Sequence, residues 1–338
     1  MIGRVPRPLA LLLGVTALLS VAWTFTLTPF QGPDEPAHFS YAQYLAETGG
    51  KPSVSEGQNP YSTKTAGALY FFNLNQLAGV ADARPAWAEV EERRWAAIEA
   101  KLGDEADSDG SGPNPLGKNP PLYYAYQAVP YWIGSLGSFW DRVTVMRLAS
   151  GVLLLVTVLF AWLAAAEVFR STWPRVLATG SVALLPQLTA MSGTINADNL
   201  LVSVWTAFAY VSLRLVRHGL SIRRVLALAA LAGASLLTHG RGIAIVPALL
   251  AVVVIAALRT RPRPKQLLAA LAPGTALLAA VVAVYQLALA PSSGAYGGEV
   301  SLTRGSTSMT IPGFLSTVWQ FYFPALPFME QRIGPPFG

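Results

Sequence analysis

Apolar residues in this chain gather into blocks close to the roughly 20 residues that a helix needs to cross a bilayer core, and most charged residues fall in the breaks between blocks. Read in order, the blocks predict seven membrane-crossing helices, over 9–28, 145–168, 175–190, 200–215, 225–237, 243–258 and 267–290. The short break Thr238-His-Gly-Arg-Gly242 reads either as a tight turn or as the middle of a re-entrant pair. The fold class is therefore an all-α polytopic membrane protein. Its first span is 1–29, a polar loop covers 30–144, a bundle of about six spans covers 145–290, and an external segment with an aromatic-proline run closes the chain at 291–338.

The 30–144 loop carries its own periodicity. Residues 36–46 read as a short amphipathic helix, with Phe39, Ala42 and Leu45 at helical spacing. Residues 85–102 read as a second, with Trp87, Val90, Trp95, Ile98 and Leu102 on one stripe. Two tryptophans on such a face suit either the bilayer interface or the transmembrane bundle. The stretch from Lys118 through Tyr123, Tyr124, Tyr126, Tyr131 and Trp132 is too polar and too broken by proline for a crossing. It reads as an interfacial helix with a belt of rings, and the same hydroxylated rings would suit a sugar-binding cleft.

Composition agrees with a membrane protein: 53% of the 338 residues are hydrophobic and 12% are charged, about half the charged share of soluble domains. Arg4 and Arg7, Arg170 and Arg175, the 214–224 arginines and the basic run at 259–265 all fall on one side of a seven-span arrangement, with Glu167 the one acidic residue near them. Basic loops stay in the cytoplasm, so the N-terminus is expected inside and 30–144 outside. That topology explains the net charge of +6 without a nucleic-acid partner, since no aromatic platform interleaves the basic residues. The first span has no small-x-small cleavage site before Trp23 and is read as a retained anchor. With no cysteine, disulfides and thiolate metal sites are excluded.

Candidate chemistry begins at the acidic pair in Phe30-Gln-Gly-Pro-Asp-Glu-Pro-Ala-His38. A carboxylate fixed between Pro33 and Pro36 can take a proton from a hydroxyl nucleophile or hold a divalent cation. The bland alternative is that Asp34 caps the helix behind it. His38 lies one turn beyond Asp34, so Asp34, Glu35 and His38 are the candidate ligands if a cation such as Mg or Mn takes part; a metal-free route is equally open. The string Glu105-Ala-Asp-Ser-Asp-Gly110 has the look of a calcium loop, yet Leu116 stands where the closing carboxylate belongs, so a solvated linker is expected. Two polar clusters return to the same membrane boundary: Ser192–Asn199 with Asp198, and Thr238–Arg241 with His239. Arg241 suits bidentate binding of a phosphate and His239 a second donor, against the plainer roles of snorkelling for Arg241 and helix capping for Asp198.

The order of these features resembles the type-C membrane glycosyltransferases. The acidic pair follows the first span, then come amphipathic loop helices and Lys118-Asn-Pro-Pro-Leu-Tyr-Tyr124. After those stand Gly137, Met146-Arg-Leu-Ala-Ser150 and Leu236-Leu-Thr-His239. Pro33–His38 followed by Tyr44-Leu-Ala-Glu-Thr-Gly49 is similar to the opening of a bacterial family of predicted membrane proteins of unknown function within that clan. The resemblance implies a type-C helix bundle that transfers a sugar from a polyprenyl-phosphate donor to a glycan, lipid or protein acceptor on the extracytoplasmic face of the cytoplasmic membrane. It implies Asp34 as general base and Glu35 as its partner or a cation ligand. His38, Lys118, Asn119, Tyr123, Asp198, His239 and Arg241 are the expected substrate-binding residues. Lys118 would grip the donor phosphate, although Asn119 separates it here from the Pro120-Pro121 pair that it directly precedes in relatives. Relatives continue with further spans, so a truncated or shortened chain is expected. The competing expectations are a transporter or flippase of a lipid-linked precursor and a catalytically silent assembly subunit. The first predicts internal repeats with broken helices, and no duplication is visible.

Overall fold

A computed structural model describes residues 5–54, 61–74, 88–103 and 112–289. The terminal segment 291–338, Trp87 and the Glu105–Gly110 string lie outside these residues. The described residues are helical, with no strand among them. The helices are α1 (Arg7–Thr26), α2 (Glu35–Thr48), α3 (Thr63–Phe71), α4 (Glu89–Leu102), α5 (Leu122–Gly134), α6 (Phe139–Val168), α7 (Thr172–Ala183), α8 (Pro186–Ser192), α9 (Asp198–His218), α10 (Ile222–Thr238), α11 (Ile245–Thr260) and α12 (Pro264–Val284). A 3-10 turn, Gly240–Ala244, runs straight into α11, so the break after α10 is a tight turn.

Among the described residues five helices are long and apolar enough to cross a membrane: α1, α6, α9, the 3-10 turn continued by α11, and α12 with the turn after it. The predicted crossing at 175–190 is instead two short helices. Pro186 has no N–H to donate and disfavours helical geometry at Leu185, which adopts φ −66°, ψ 115°. The 225–237 block forms α10, whose 17 residues give about 25 Å of helix, somewhat short of a bilayer core of about 30 Å.

At the centre stands α6, which packs on α1, α5, α7, α8 and α9. Its N-terminus is set by a capping box: Ser138 Oγ accepts from the Asp141 N–H at 3.2 Å, and Asp141 Oδ2 accepts from the Ser138 N–H at 2.9 Å. The helix therefore starts six residues before the predicted span, and its 30 residues reach about 45 Å. The excess over a bilayer core carries Phe139 and Val143 into the loop region. There they join Phe30, Phe39, Phe72, Trp95, Tyr123 and Tyr131 in one buried cluster. Each buried phenylalanine contributes about 1.5–3 kcal/mol, which stabilises a loop layer that has no disulfide.

That cluster takes up Trp95 and most of the tyrosines of the loop helices. Trp95 of α4 is 2% exposed and packs edge-on to Phe72 and Phe139. Tyr123, Tyr124 and Tyr131 of α5 are buried in protein, whereas Val129, Trp132 and Ile133 of the same helix are exposed. Along α2 every residue from Ala37 to Gln43 is buried, so its apolar stripe is one side of a helix enclosed nearly all round.

Small residues let the long helices approach. Ser20 of α1 accepts from Ser192 Oγ of α8 at 3.1 Å, and a Cβ on Gly193 would fall 2.8 Å from the backbone of Trp23 and Thr24. Between α6 and α9, Thr157 and Ser203 share a hydrogen bond of 2.9 Å. The basic segments meet at one end of the bundle, where Glu167 of α6 pairs with Arg214 at 3.4 Å and His218 at 3.1 Å on α9.

Candidate functional site

The opposite end of α9 opens on a cavity of about 350 Å³. Its polar lining converges from five parts of the chain: Asp34 and His38 at the start of α2, Asn119 before α5, Gln187 of α8, Asn196, Asp198 and Asn199 at the start of α9, and His239 and Arg241 in the turn after α10. The rest of the wall is more apolar, from Leu154 and Thr157 of α6, Leu188 and Met191 of α8 and Val202 of α9. Six residues singled out from the sequence therefore share one space: Asp34, His38, Asn119, Asp198, His239 and Arg241. Glu35, Lys118 and Tyr123 do not line it.

Asp34 occupies the N-cap position of α2, but its side chain makes no capping hydrogen bond. Capping is therefore not its role, and the exposed carboxylate belongs to the cavity lining. Its backbone is left-handed, with φ 53° and ψ 20°. Asp tolerates that region better than most side chains, yet holding it costs on the order of 1 kcal/mol.

The next residue supplies the anchor. Glu35 is fully buried and faces Arg147 of α6 in a two-pronged ion pair, Nε to Oε1 at 2.8 Å and Nη2 to Oε2 at 2.7 Å. Glu35 also accepts from the backbone N–H of Gly32 at 3.1 Å and of Ile195 at 3.0 Å. Arg147 spends its remaining N–H groups on the carbonyls of Thr24, Leu27 and Thr28, at 3.1, 2.7 and 3.1 Å. The arginine thus ties the end of α1 to the start of α2, and Glu35 carries the tie on to the loop before α9. This geometry corrects the expectation for Glu35 as cation ligand or base partner: its oxygens are directed at Arg147 and two amides.

His38 sits in a second network. Asn119 Nδ2 donates to the Tyr124 hydroxyl at 3.3 Å, and that hydroxyl shares a hydrogen bond of 3.0 Å with His38 Nδ1. Burial pushes the Tyr124 phenol up, with the Asp198 and Asp34 carboxylates adding to the push, so it stays protonated. Burial lowers the His38 pKa to about 3, and His239 adds to the effect. Below about pH 6.5 the unfolded chain takes up a proton at this histidine that the folded chain refuses, so stability falls as pH drops from 6.5 toward 3, by up to about 1.4 kcal/mol per unit. His38→Gln is expected to flatten that acid slope, read as the melting temperature of the detergent-solubilised protein across this window; an unchanged slope would show that His38 does not titrate on unfolding.

Asp198 and Arg241 face each other at 3.6 Å, with the arginine side chain 75% exposed and the aspartate 36%. Asp198 Oδ1 has no hydrogen-bond partner among the described residues. Asn196 fixes this corner, accepting from the Asp198 N–H at 2.9 Å and donating to the Pro33 carbonyl at 3.0 Å. His239 Nδ1 accepts from the Arg241 N–H at 3.1 Å. The turn bearing both lies so close to α10 that a Cβ on Gly242 would fall on the Ser235 carbonyl. Gly242→Ala is accordingly expected to lower stability by about 1–3 kcal/mol through overpacking, measurable as a drop in melting temperature.

Lys118 is exposed, and its carbonyl accepts from Lys51 Nζ at 3.4 Å. Tyr123 is buried, sharing hydrogen bonds with Ser150 at 3.0 Å and Gln127 at 2.9 Å. The proposed cation triad is not assembled, since Glu35 is turned to Arg147, and no group of three His, Asp or Glu suited to a metal exists among the described residues. Arg147 is the residue that sequence reasoning left without a role. Its signal was legible, because an arginine inside an apolar span is costly and requires a partner.

The five long apolar helices among the described residues define a polytopic helical membrane protein, with a polar cavity at one end of α6 and α9. The chain belongs to the family of predicted membrane proteins designated DUF2142, whose family model matches residues 17–319. No curated protein matches the chain, and no solved structure does.

Proposed function

We propose that this protein is a type-C membrane glycosyltransferase that moves a sugar from a polyprenyl-phosphate donor to a cell-envelope acceptor on the extracytoplasmic face of the cytoplasmic membrane. The observation that carries this reading is that Asp34, an acidic side chain not used as a cap, shares one cavity with Arg241, two histidines and an apolar wall. Basic loops at the opposite end of the bundle support the orientation. Nucleotide sugars are not expected beyond the cytoplasm, which favours a lipid-linked donor.

In the reaction, Asp34 takes the proton of the acceptor hydroxyl while that oxygen bonds to the anomeric carbon. The bond from the anomeric carbon to the phosphate oxygen breaks, and its electron pair leaves with the polyprenyl phosphate. The guanidinium of Arg241 meets the charge gained by the leaving phosphate, and the Nε2–H of neutral His239 is a second donor. The proton on Asp34 then passes to water. In this mechanism Arg241 takes the phosphate-binding role expected of Lys118, which lies outside the cavity lining. Leu154, Leu188, Met191 and Val202 are the surface for the first isoprene units.

The test is transfer from a panel of radiolabelled polyprenyl-phosphate sugars in membranes carrying the chain or Asp34→Asn. Asp34-dependent product establishes the enzyme and its donor. A folded chain that gives no product with any donor overturns the reading and favours transport of a lipid-linked precursor or a silent assembly role.

A further inference from the structure

We propose that Arg147 and Glu35 are positioning residues: their ion pair holds the backbone at Asp34 in the left-handed conformation that presents its carboxylate to the cavity. The catalytic part of this inference rests on the glycosyltransferase reading, whereas the positioning part does not.

An ordinary ion pair between two helices would need one contact. Here all five N–H bonds of the guanidinium are used, two on Glu35 and three on carbonyls of 24, 27 and 28. Both carboxylate oxygens are used twice, since Gly32 donates to Oε2 and Ile195 to Oε1. The pair is 2% and 0% exposed, so water does not compete for it. Four chain segments that frame Asp34 are fixed by this one node: the end of α1, the turn at Gly32, the first residue of α2 and the loop before α9. Gly32 is part of the fit, for a Cβ there would lie 2.7 Å from the Thr194 side chain and 3.2 Å from Glu35 Oε2.

Asp34 itself has no capping bond to hold its conformation. Helix α2 would be served equally by an unstrained N-cap, and a buried charge pair is by itself weak reason to expect added stability. What the node does provide is rotation of residue 34 away from the helix amides and into the lining of the cavity. Lysine at 147 keeps the charge but has three donors and no planar fork, so it cannot restore the set of five. Glutamine at 35 keeps the shape and loses the charge.

The chain has no cysteine, so Asp34→Cys provides one reporter thiol for a nitroxide spin label, and Ser171→Cys provides a control in the exposed segment between α6 and α7. Each is combined with Arg147→Lys and with Glu35→Gln, and folding is checked by gel filtration. The expected result is a label at 34 that is restrained in the parent and mobile in both variants, while the label at 171 is unchanged. With an active donor, the same variants bearing Asp34 are expected to lose about 10²-fold in kcat with KM little changed, as displacement of one reacting group requires.

A label at 34 that stays restrained in a folded Glu35→Gln chain overturns the positioning role, even if transfer is Asp34-dependent. Mobility at 34 without transfer from any donor leaves the positioning role standing and removes the glycosyltransferase reading. Should Arg147→Lys not fold, the milder Glu35→Gln decides alone. Should neither fold, the node is purely structural and the proposal fails.

Discussion

Asp34→Asn is expected to reduce glycosyl transfer by about 10²–10⁴-fold, the range that loss of a general base commands, while leaving the amount of folded protein unchanged. The second half of that expectation follows from the structure. Asp34 makes no capping hydrogen bond, and its side chain is exposed, so the amide has no buried interaction to break. Asparagine also tolerates left-handed backbone as well as aspartate does. Activity and stability should therefore separate cleanly, with transfer measured from the best radiolabelled donor and folding from thermal unfolding. Full activity in the variant would remove Asp34 as base and direct attention to Asp198, the other carboxylate of the cavity.

Arg147→Met is expected to do the opposite, lowering stability by about 3–5 kcal/mol, because it leaves the Glu35 charge buried without its partner. Three carbonyls at the end of α1 lose their donors in the same step, and the buried one, of Thr24, adds about 1–3 kcal/mol if left unpaired. The double variant Arg147→Met with Glu35→Gln should recover part of the loss, since no isolated charge remains. Recovery measured as melting temperature distinguishes the cost of an unpaired charge from simple loss of packing. No difference between the single and double variants would show that Glu35 is already protonated or hydrated in the folded protein.

The membrane spans were legible because apolar blocks of the required length leave little choice of structure. Their interruptions were less so. The block over 175–190 hides a break at Leu185, whose cause is local and visible in Pro186 once its missing N–H is weighed above average hydropathy. In the loop, periodicity identified the helix at 89–102 but not its partner. Trp95 on an amphipathic stripe reads the same whether it meets lipid or Phe139, and only the extension of α6 beyond the bilayer core decides it.

At the candidate site the sequence supplied the right polar strings without their division of labour. Asp34 and Glu35 are adjacent, of one charge type, and enclosed by the same prolines, yet successive residues at a helix start point in different directions. One lines the cavity and the other meets an arginine 112 positions away. That partner was visible as a lone cation in an apolar span, and the long-range pairing itself has no local signature.

The separation of Glu35 from its partners also orders the biogenesis of the chain. Arg147 is 112 residues downstream and the Ile195 amide 160, and synthesis proceeds from the N-terminus. When the first helix and the 30–144 loop have been made, Glu35 still lacks every long-range partner and must remain hydrated. The node closes only after α6 has been inserted and the loop preceding α9 has followed it. A nascent chain that ends before residue 147 thus presents an anchored loop whose Glu35 carboxylate is held by water and not yet by protein.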